Sequence, residues 1–289
     1  MDKHGVLIVN GFLTGNKYSQ VYEYLTRAFE RVGADISVIK NTELSNKVGD
    51  SSIIDKSKTD FALVFDKDHR LCSAIERAGI RCFNSSSAIK ACDDKIETYL
   101  ALEKSGVPFP ETYIAPKTFS NIGYTDASFL REAGEKLGYP FVIKEAFGSF
   151  GKQVYLANDL LEAERIIKGI KGDFLMQKFV KESRGKDVRI NVVGDRAVAS
   201  ILRVNENDFR SNVTGGGKAY PYEPTEKETS VAIAAARALG CDFCGVDVLF
   251  GNDGPIVCEV NASMHFVSTY EATGINVADD IAKYVLNNI

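Results

Sequence analysis

The chain has 289 residues, enough for two or three compact units at about 150 residues each. Hydrophobic residues make up 45% and charged residues 26%, the proportions of a folded globular protein and not of a disordered one. Lys and Arg number 35 against 39 Asp and Glu, a net charge of −4, which excludes bulk attraction to nucleic acid or an anionic membrane and requires that any cations for an anionic ligand be local.

In chain order, GVLIVN predicts a first strand. Its apolar run is far shorter than the ~20 residues of a spanning helix, and Asp2 and Lys3 before it do not make a secretory signal. The turn that follows, Asn10-Gly11-Phe12-Leu13-Thr14-Gly15, is not G-x-G-x-x-G and gives no dinucleotide fingerprint. Val21, Leu25, Ala28, Phe29 and Val32 recur at helical spacing before Gly33 stops the helix. DISVIK, FALVF and IRCFN add strands, and the alternation predicts a covered parallel sheet in an open α/β domain over residues 1–94. SSSAIKACDDKIETYLALEKSG predicts a helix capped by serine and ended by Gly106, with VPFP as a stiff linker. A smaller α/β unit is expected over 95–183: a helix from Phe129 to Leu137, the strand PFVIKEA, a glycine-rich turn, the strand KQVYLA, the helix DLLEAERIIKG and the strand DFLMQKFV. Over 184–289 the character becomes α+β, with antiparallel strands (DVRINVV, RAVASILRV), the helix TEKETSVAIAAARALG and the hairpin GVDVLFGNDGPIVCEVNA. The six cysteines (Cys72, Cys82, Cys92, Cys241, Cys244, Cys258) are scattered. A lone C-x-x-C with no second pair, far from His4, His69 and His265, points to core packing in a reduced, cytoplasmic protein.

The C-terminal hairpin carries the sharpest chemical pattern. A three-residue loop, Asn252-Asp253-Gly254, pairs Gly251 with Pro255 and sets Asp247 opposite Glu259. One face is then Val246, Val248, Phe250, Ile256, Cys258 and Val260, and the other carries Asp247, Glu259 and Asn261. A two-residue loop would send the carboxylates to opposite faces, so the apolar partition favours three. Opposed carboxylates repel unless a cation lies between them, and two carboxylates with an amide suit Mg²⁺ shared with phosphates. A solvated polar face is the plain alternative.

Two further features point toward phosphate. In Glu145-Ala146-Phe147-Gly148-Ser149-Phe150-Gly151-Lys152 the glycines free backbone N–H groups to face phosphate oxygens, with Lys144 in reach from the preceding strand, although this is not a P-loop. Lys95, Lys144, Arg189, Arg203 and Arg210 are dispersed cations. In DVRINVV, Asp187, Arg189 and Asn191 alternate with Val188, Ile190 and Val192, giving one polar face.

With these motifs in this order, Asp94-Lys95 before GVPFPET, PFVIKEAFGSFGKQV, MQKFVKESRGKDVRINVVGDRAVASILR, FRSN, GVDVLF and EVNAS, the sequence resembles the ATP-grasp superfamily, and within it the RimK-like carboxylate–amine ligases. The resemblance covers nearly the whole chain, most strongly from about Asn84 to Ala282. It implies an ATP-grasp fold behind a Rossmann-like pre-ATP-grasp domain, with ATP gripped between the central unit and the C-terminal sheet. By position, Lys95, Lys144, Gly148, Ser149, Gly151, Gln177, Lys178, Phe179, Val180, Asp187, Arg210, Ser211 and Asn212 would bind the nucleotide. Lys144 would lie on the phosphates, Lys178 and Phe179 along the adenine and Asp187 on the ribose. Asp247, Glu259 and Asn261 match the ligands of one or two Mg²⁺, with Mn²⁺ as a substitute, and Arg203 matches the arginine that steadies an acyl phosphate. Formation of an amide bond between a carboxylate acceptor and an amine such as glutamate, with release of ADP and phosphate, is the implied activity, and a homo-oligomer the implied assembly. A dipeptide ligase and a non-catalytic nucleotide-binding module are the alternatives. After FRSN the family's basic residue is replaced by Thr214-Gly215-Gly216-Gly217, and after EVNAS its Pro-Gly is replaced by Met264-His265. His265 there has either a substrate role or a packing role.

Overall fold

The computed structural model describes residues 3–13 and 15–289; Thr14 of the first turn, and Met1 and Asp2, lie outside the described residues. The chain opens with β1 (Lys3–Val9), α1 (Asn16–Arg31), β2 (Ala34–Lys40), β3 (Phe61–Val64), α2 (His69–Arg77) and β4 (Arg81–Cys82). The strands form a parallel sheet in the order β2-β1-β3-β4, as the alternation predicts. Side chains of β1 alternate between faces: Leu7 and Val9 pack with Leu25 and Phe29 of α1, whereas Val6 and Ile8 pack with Leu71 and Ile75 of α2.

The expected single helix after this sheet is two, α3 (Ser86–Asp93) and α4 (Lys95–Lys104). The break falls at Asp94, whose carboxylate leaves the helix and accepts from the N–H groups of Ile96 and Glu97, capping α4. This places Lys95 at a helix start, where its N–H donates to the Ala146 carbonyl at 2.9 Å and so abuts the glycine-rich turn. The central unit comprises β5 (Thr112–Ile114), α5 (Ser128–Leu137), β6 (Phe141–Glu145), β7 (Val154–Ala157), α6 (Leu160–Ile167) and β8 (Phe174–Lys178), with sheet order β5-β8-β6-β7. The short β5 is not signalled by alternation; it forms because β8 offers a free edge.

The last third contains β9 (Lys186–Val193), β10 (Arg196–Val204), β11 (Lys218–Pro221), α7 (Glu226–Ala238), β12 (Phe243–Gly251), β13 (Gly254–Asn261), α8 (Val267–Thr273) and α9 (Val277–Leu286). Its strands make one antiparallel sheet, β11-β10-β9-β12-β13. One face, with Val188, Ile190, Val192, Val246, Val248, Val257 and Val260, is covered by Ala232, Ala235 and Ala236 of α7 together with Tyr99 and Leu102 of α4. From the far end, α9 packs against α1, so the first and last elements share one core. Buried Asn84 fixes this union: Nδ2 donates to the carbonyls of Phe243 and Ala262, and Oδ1 accepts from the N–H groups of Asp242 and Phe243.

The hairpin corrects the expected loop. Gly251 pairs with Gly254, so the loop is the two residues Asn252-Asp253, yet Asp247 still lies opposite Glu259. A β-bulge reconciles the two: Val248 pairs with Val257 and Asp247 with Glu259, leaving Cys258 as the extra residue. Ile256 and Cys258 therefore leave the apolar face assigned to them, and Val257 replaces them. The free carbonyl of Cys258 is satisfied by the Tyr99 hydroxyl at 2.6 Å.

Candidate active site

The polar face of the C-terminal sheet is ordered by register. Asp187 of β9 lies directly across from Arg203 of β10; one step along, Arg189 faces Asp247 of β12, which faces Glu259 of β13; a further step brings Asn191, Gly245 and Asn261 into line. The Arg203 guanidinium donates through Nε to Asp187 Oδ1 at 2.7 Å and reaches Asp247 Oδ2 at 2.9 Å. Arg189 grips the same Asp247 with Nε and Nη2, the latter at 2.8 Å. Gly245 permits this grip, since a Cβ there would stand 2.9 Å from Arg189 Nη1. Ser211 Oγ donates to Asp187 Oδ2 at 2.6 Å.

Burial opposes the Asp247 charge, but Arg189 and Arg203 outweigh it and hold the carboxyl below its ordinary range. In the same way burial works against the Arg203 charge, and Asp187 and Asp247 raise its pKa on balance. The repulsion expected between the opposed carboxylates is thus relieved on the Asp247 side by arginine. Glu259 keeps a freer carboxylate, with Lys95 Nζ at 3.7 Å.

This face and the central sheet enclose a cleft of about 120 Å³. Every residue singled out from the sequence for nucleotide, metal or catalysis lines it, except Asn261, which with Arg189 of the dispersed cations lines an adjoining cavity of about 640 Å³. Ser149, Arg203, Asn212 and Glu259 border both spaces. Lys144 reaches the cleft from β6 as a fully enclosed ammonium, contacting Tyr99 Oη at 3.3 Å and Cys258 Sγ at 3.5 Å. Burial lowers its pKa, but Cys258, Tyr99 and Glu259 more than reverse this, so it remains charged. Burial pushes the Cys258 thiol up, against the lowering effect of the adjacent Lys144 ammonium.

The glycine-rich turn is held over the cleft by cations bonded to its carbonyls. Lys67 and Lys95 donate to the Gly148 carbonyl at 3.2 and 3.4 Å, and Arg210 Nη1 donates to that of Gly151 at 2.6 Å. Gly151 has a φ of +71° and no space for a Cβ, which would meet Asn212 Oδ1 at 2.8 Å. Arg210, expected among the phosphate cations, also pairs with Asp208 at 2.7 Å. Buried Gln177 is oriented by Thr112 Oγ1 at 2.8 Å and by the Tyr99 hydroxyl at 3.3 Å. Tyr99, Cys258 and Lys67 are the site neighbours that sequence reasoning missed. Tyr99 sits in an ordinary apolar helical pattern, and Cys258 enters the cleft only because of the bulge. His265 lines the larger cavity, its ring edge-on to Tyr18 with centroids 5.7 Å apart.

Asp247, Glu259 and Asn261 fit a hard divalent cation. They offer oxygen donors in neighbouring register, and Glu259 has lone pairs not committed to an arginine. Elsewhere Cys72, Glu76 and Cys82 also converge, but Glu76 already accepts from the Ser86 N–H at 2.8 Å as part of the α2–α3 packing.

The RimK-like ATP-grasp domain family matches residues 92–285, and the chain belongs to that family. It is 37% identical over 226 residues to human N-acetylaspartylglutamate synthase A, a match covering 77% of this chain and 56% of that protein. The chain therefore spans little more than half the length of this relative. A probable alpha-L-glutamate ligase from Maridesulfovibrio salexigens is 38% identical over 217 residues, covering 74% of this chain and 69% of that one. Among solved structures, the RimK domain ATP-grasp protein of Sphaerobacter thermophilus superposes with a TM-score of 0.73 at 21% identity, covering 97% of this chain and 98% of that chain. The fold is thus ATP-grasp over the whole length.

Proposed function

We propose that the chain is an ATP-dependent carboxylate–amine ligase that forms an amide through an acyl phosphate. The observation that carries this reading is the wall shared by the two cavities. Ser149, Arg203, Asn212 and Glu259 face both a narrow cleft with a buried ammonium and a larger chamber of substrate size, so a phosphate donor and its acceptor would meet there. A carboxylate oxygen in the larger cavity attacks the γ-phosphorus of ATP, the bond to the β–γ bridging oxygen breaks, and ADP departs. An amine then attacks the acyl carbon, the C–O bond to phosphate breaks, and phosphate leaves with the amine proton lost to solvent.

Lys144 holds the phosphates, and Arg203 faces the charge that develops on the acyl oxygen. Arg189 fixes Asp247, and the glycine-rich turn excludes water from an intermediate that water would destroy. Asp247, Glu259 and Asn261 would hold one or two Mg²⁺, with Mn²⁺ able to substitute; the ion supplies neutralisation of phosphate charge. The two relatives named above, an N-acetylaspartylglutamate synthase and a probable alpha-L-glutamate ligase, make L-glutamate the first amine to try. The six free cysteines favour a reducing, cytoplasmic setting, and among the described residues no helix is long and apolar enough to cross a membrane.

The test is release of ADP and phosphate across a panel of carboxylates with L-glutamate and other amino acids, with hydroxylamine as a trap. Amine-dependent ADP release and a hydroxamate product are expected, both abolished by Glu259→Gln. Full activity in that variant removes the metal assignment, and absence of ADP release with every pair, alongside tight ATP binding, removes the ligase reading.

A further inference from the structure

The larger cavity reaches the carboxyl ends of β1 and β3, where the strand order of the parallel sheet reverses and where open α/β sheets place ligands. Asn10, after β1, donates Nδ2 to Asp66 Oδ2, after β3, at 2.9 Å across this reversal. Ser263 donates its Oγ to the Asp66 carbonyl at 2.9 Å, tying this end of the cavity to the segment that follows Asn261. The Asp66 carboxylate is partly buried, and among the residues whose side chains are described no lysine, arginine or histidine forms an ion pair with it. Its neighbour Lys67 is turned away, 2.6 Å from Asp93 and 3.2 Å from the Gly148 carbonyl. Burial lifts the Asp66 carboxyl above its ordinary value, and burial with the Asp66 and Tyr18 charges pushes Tyr22, on the same wall, up to about 12. A carboxylate that has lost water and gained no cation is a receptor for one.

We propose that Asp66, aligned by Asn10, binds the ammonium group of the amine substrate in the larger cavity. This rests on the ligase reading, which requires an amine beside the activated carboxylate and leaves open what recognises it. The cations nearest the transferring group, Arg189 and Arg203, are committed to Asp247 and Asp187, so they do not oppose an ammonium in this cavity. Asn10 and the Lys67 backbone N–H fix the orientation of the carboxylate, and its remaining lone pairs are left for the ligand.

Calorimetric titration of the full chain, with Mg²⁺ and the ATP analogue AMP-PNP added first, tests this. The probes are L-glutamate and glycinamide, each beside its N-acetyl counterpart. At least one primary amine is expected to bind saturably and its N-acetyl form about tenfold or more weakly, the loss of one charged hydrogen bond. Asp66→Asn is expected to erase that preference and leave AMP-PNP affinity unchanged. Equal binding of the two forms to the wild-type chain, no binding of either amine, or a preference surviving in Asp66→Asn each overturns the proposal. Where Asp66→Asn fails to fold, Asn10→Ala, which releases the carboxylate, is expected to weaken the same preference, and its full survival there overturns the proposal. Failure of the wild-type chain to bind AMP-PNP strikes the ligase reading itself and overturns both.

Discussion

Lys144 is enclosed by Tyr99, Cys258 and the cleft with no carboxylate in contact, whereas Arg189 and Arg203 are each paired with an aspartate. An enclosed ammonium with no carboxylate in contact has no short ion pair of its own, and an incoming anion can supply one. Lys144→Met should therefore weaken AMP-PNP binding by about ten- to a hundredfold, the range for lost hydrogen bonds to a charged group, with little loss of thermal stability in the free protein. Titration of a fluorescent ATP analogue, paired with a melting curve, checks both parts. Sequence picks out Lys144 from its place at a strand end before glycines. It gives no hint of Tyr99, because a tyrosine among leucines and alanines on α4 looks like packing.

At the scale of elements, the hairpin shows two local rules meeting. Asn252-Asp253 satisfies a two-residue turn, and face partition demands that Asp247 and Glu259 share a side; the bulge at Cys258 lets both hold. Faces were legible because apolar and polar residues alternate on both strands. The bulge was not, since period-two reading assumes an unbroken ladder. Beneath this sheet, α7 begins with a capping box: Thr225 Oγ1 accepts from the Glu228 N–H at 3.2 Å, and Glu228 accepts from the Thr225 N–H at 2.7 Å. Thr225→Ala should cost about 1 kcal/mol in urea denaturation, with nucleotide affinity unchanged, because α7 touches the face away from the cleft.

Across the whole molecule, Asn84 ties the segment after the first sheet to the C-terminal sheet, and Leu175 of the central sheet packs in the core of that same C-terminal sheet. Four backbone groups depend on the Asn84 amide. Asn84→Ala strands them in the interior, so a loss of about 3 kcal/mol or more is expected, read as a lowered melting temperature. A melting temperature within a degree of wild type would mean that the junction is held by apolar contacts alone. The contacts of Lys67, Lys95 and Arg210 with the glycine-rich turn bring side chains from the first domain, α4 and the C-terminal unit onto one loop of the central unit. The position of this turn is therefore set by the assembled chain and not by any one unit.

By itself the sequence determined the elements marked by clear periodicity, the parallel first sheet, and that Asp247, Glu259 and Asn261 share a side of the hairpin. These follow from short-range periodicity, and each is set by neighbours a few residues away. Tertiary structure alone decided which cations remain available. Arg189, Arg203 and Arg210 read as equivalent positive charges along the chain, but cross-strand register and loop packing commit all three to carboxylates, leaving Lys144 as the buried ammonium in the cleft without one. A charge's partner is fixed by distances between residues far apart in sequence. The local cations that a net charge of −4 requires therefore become identifiable only once the sheets have met.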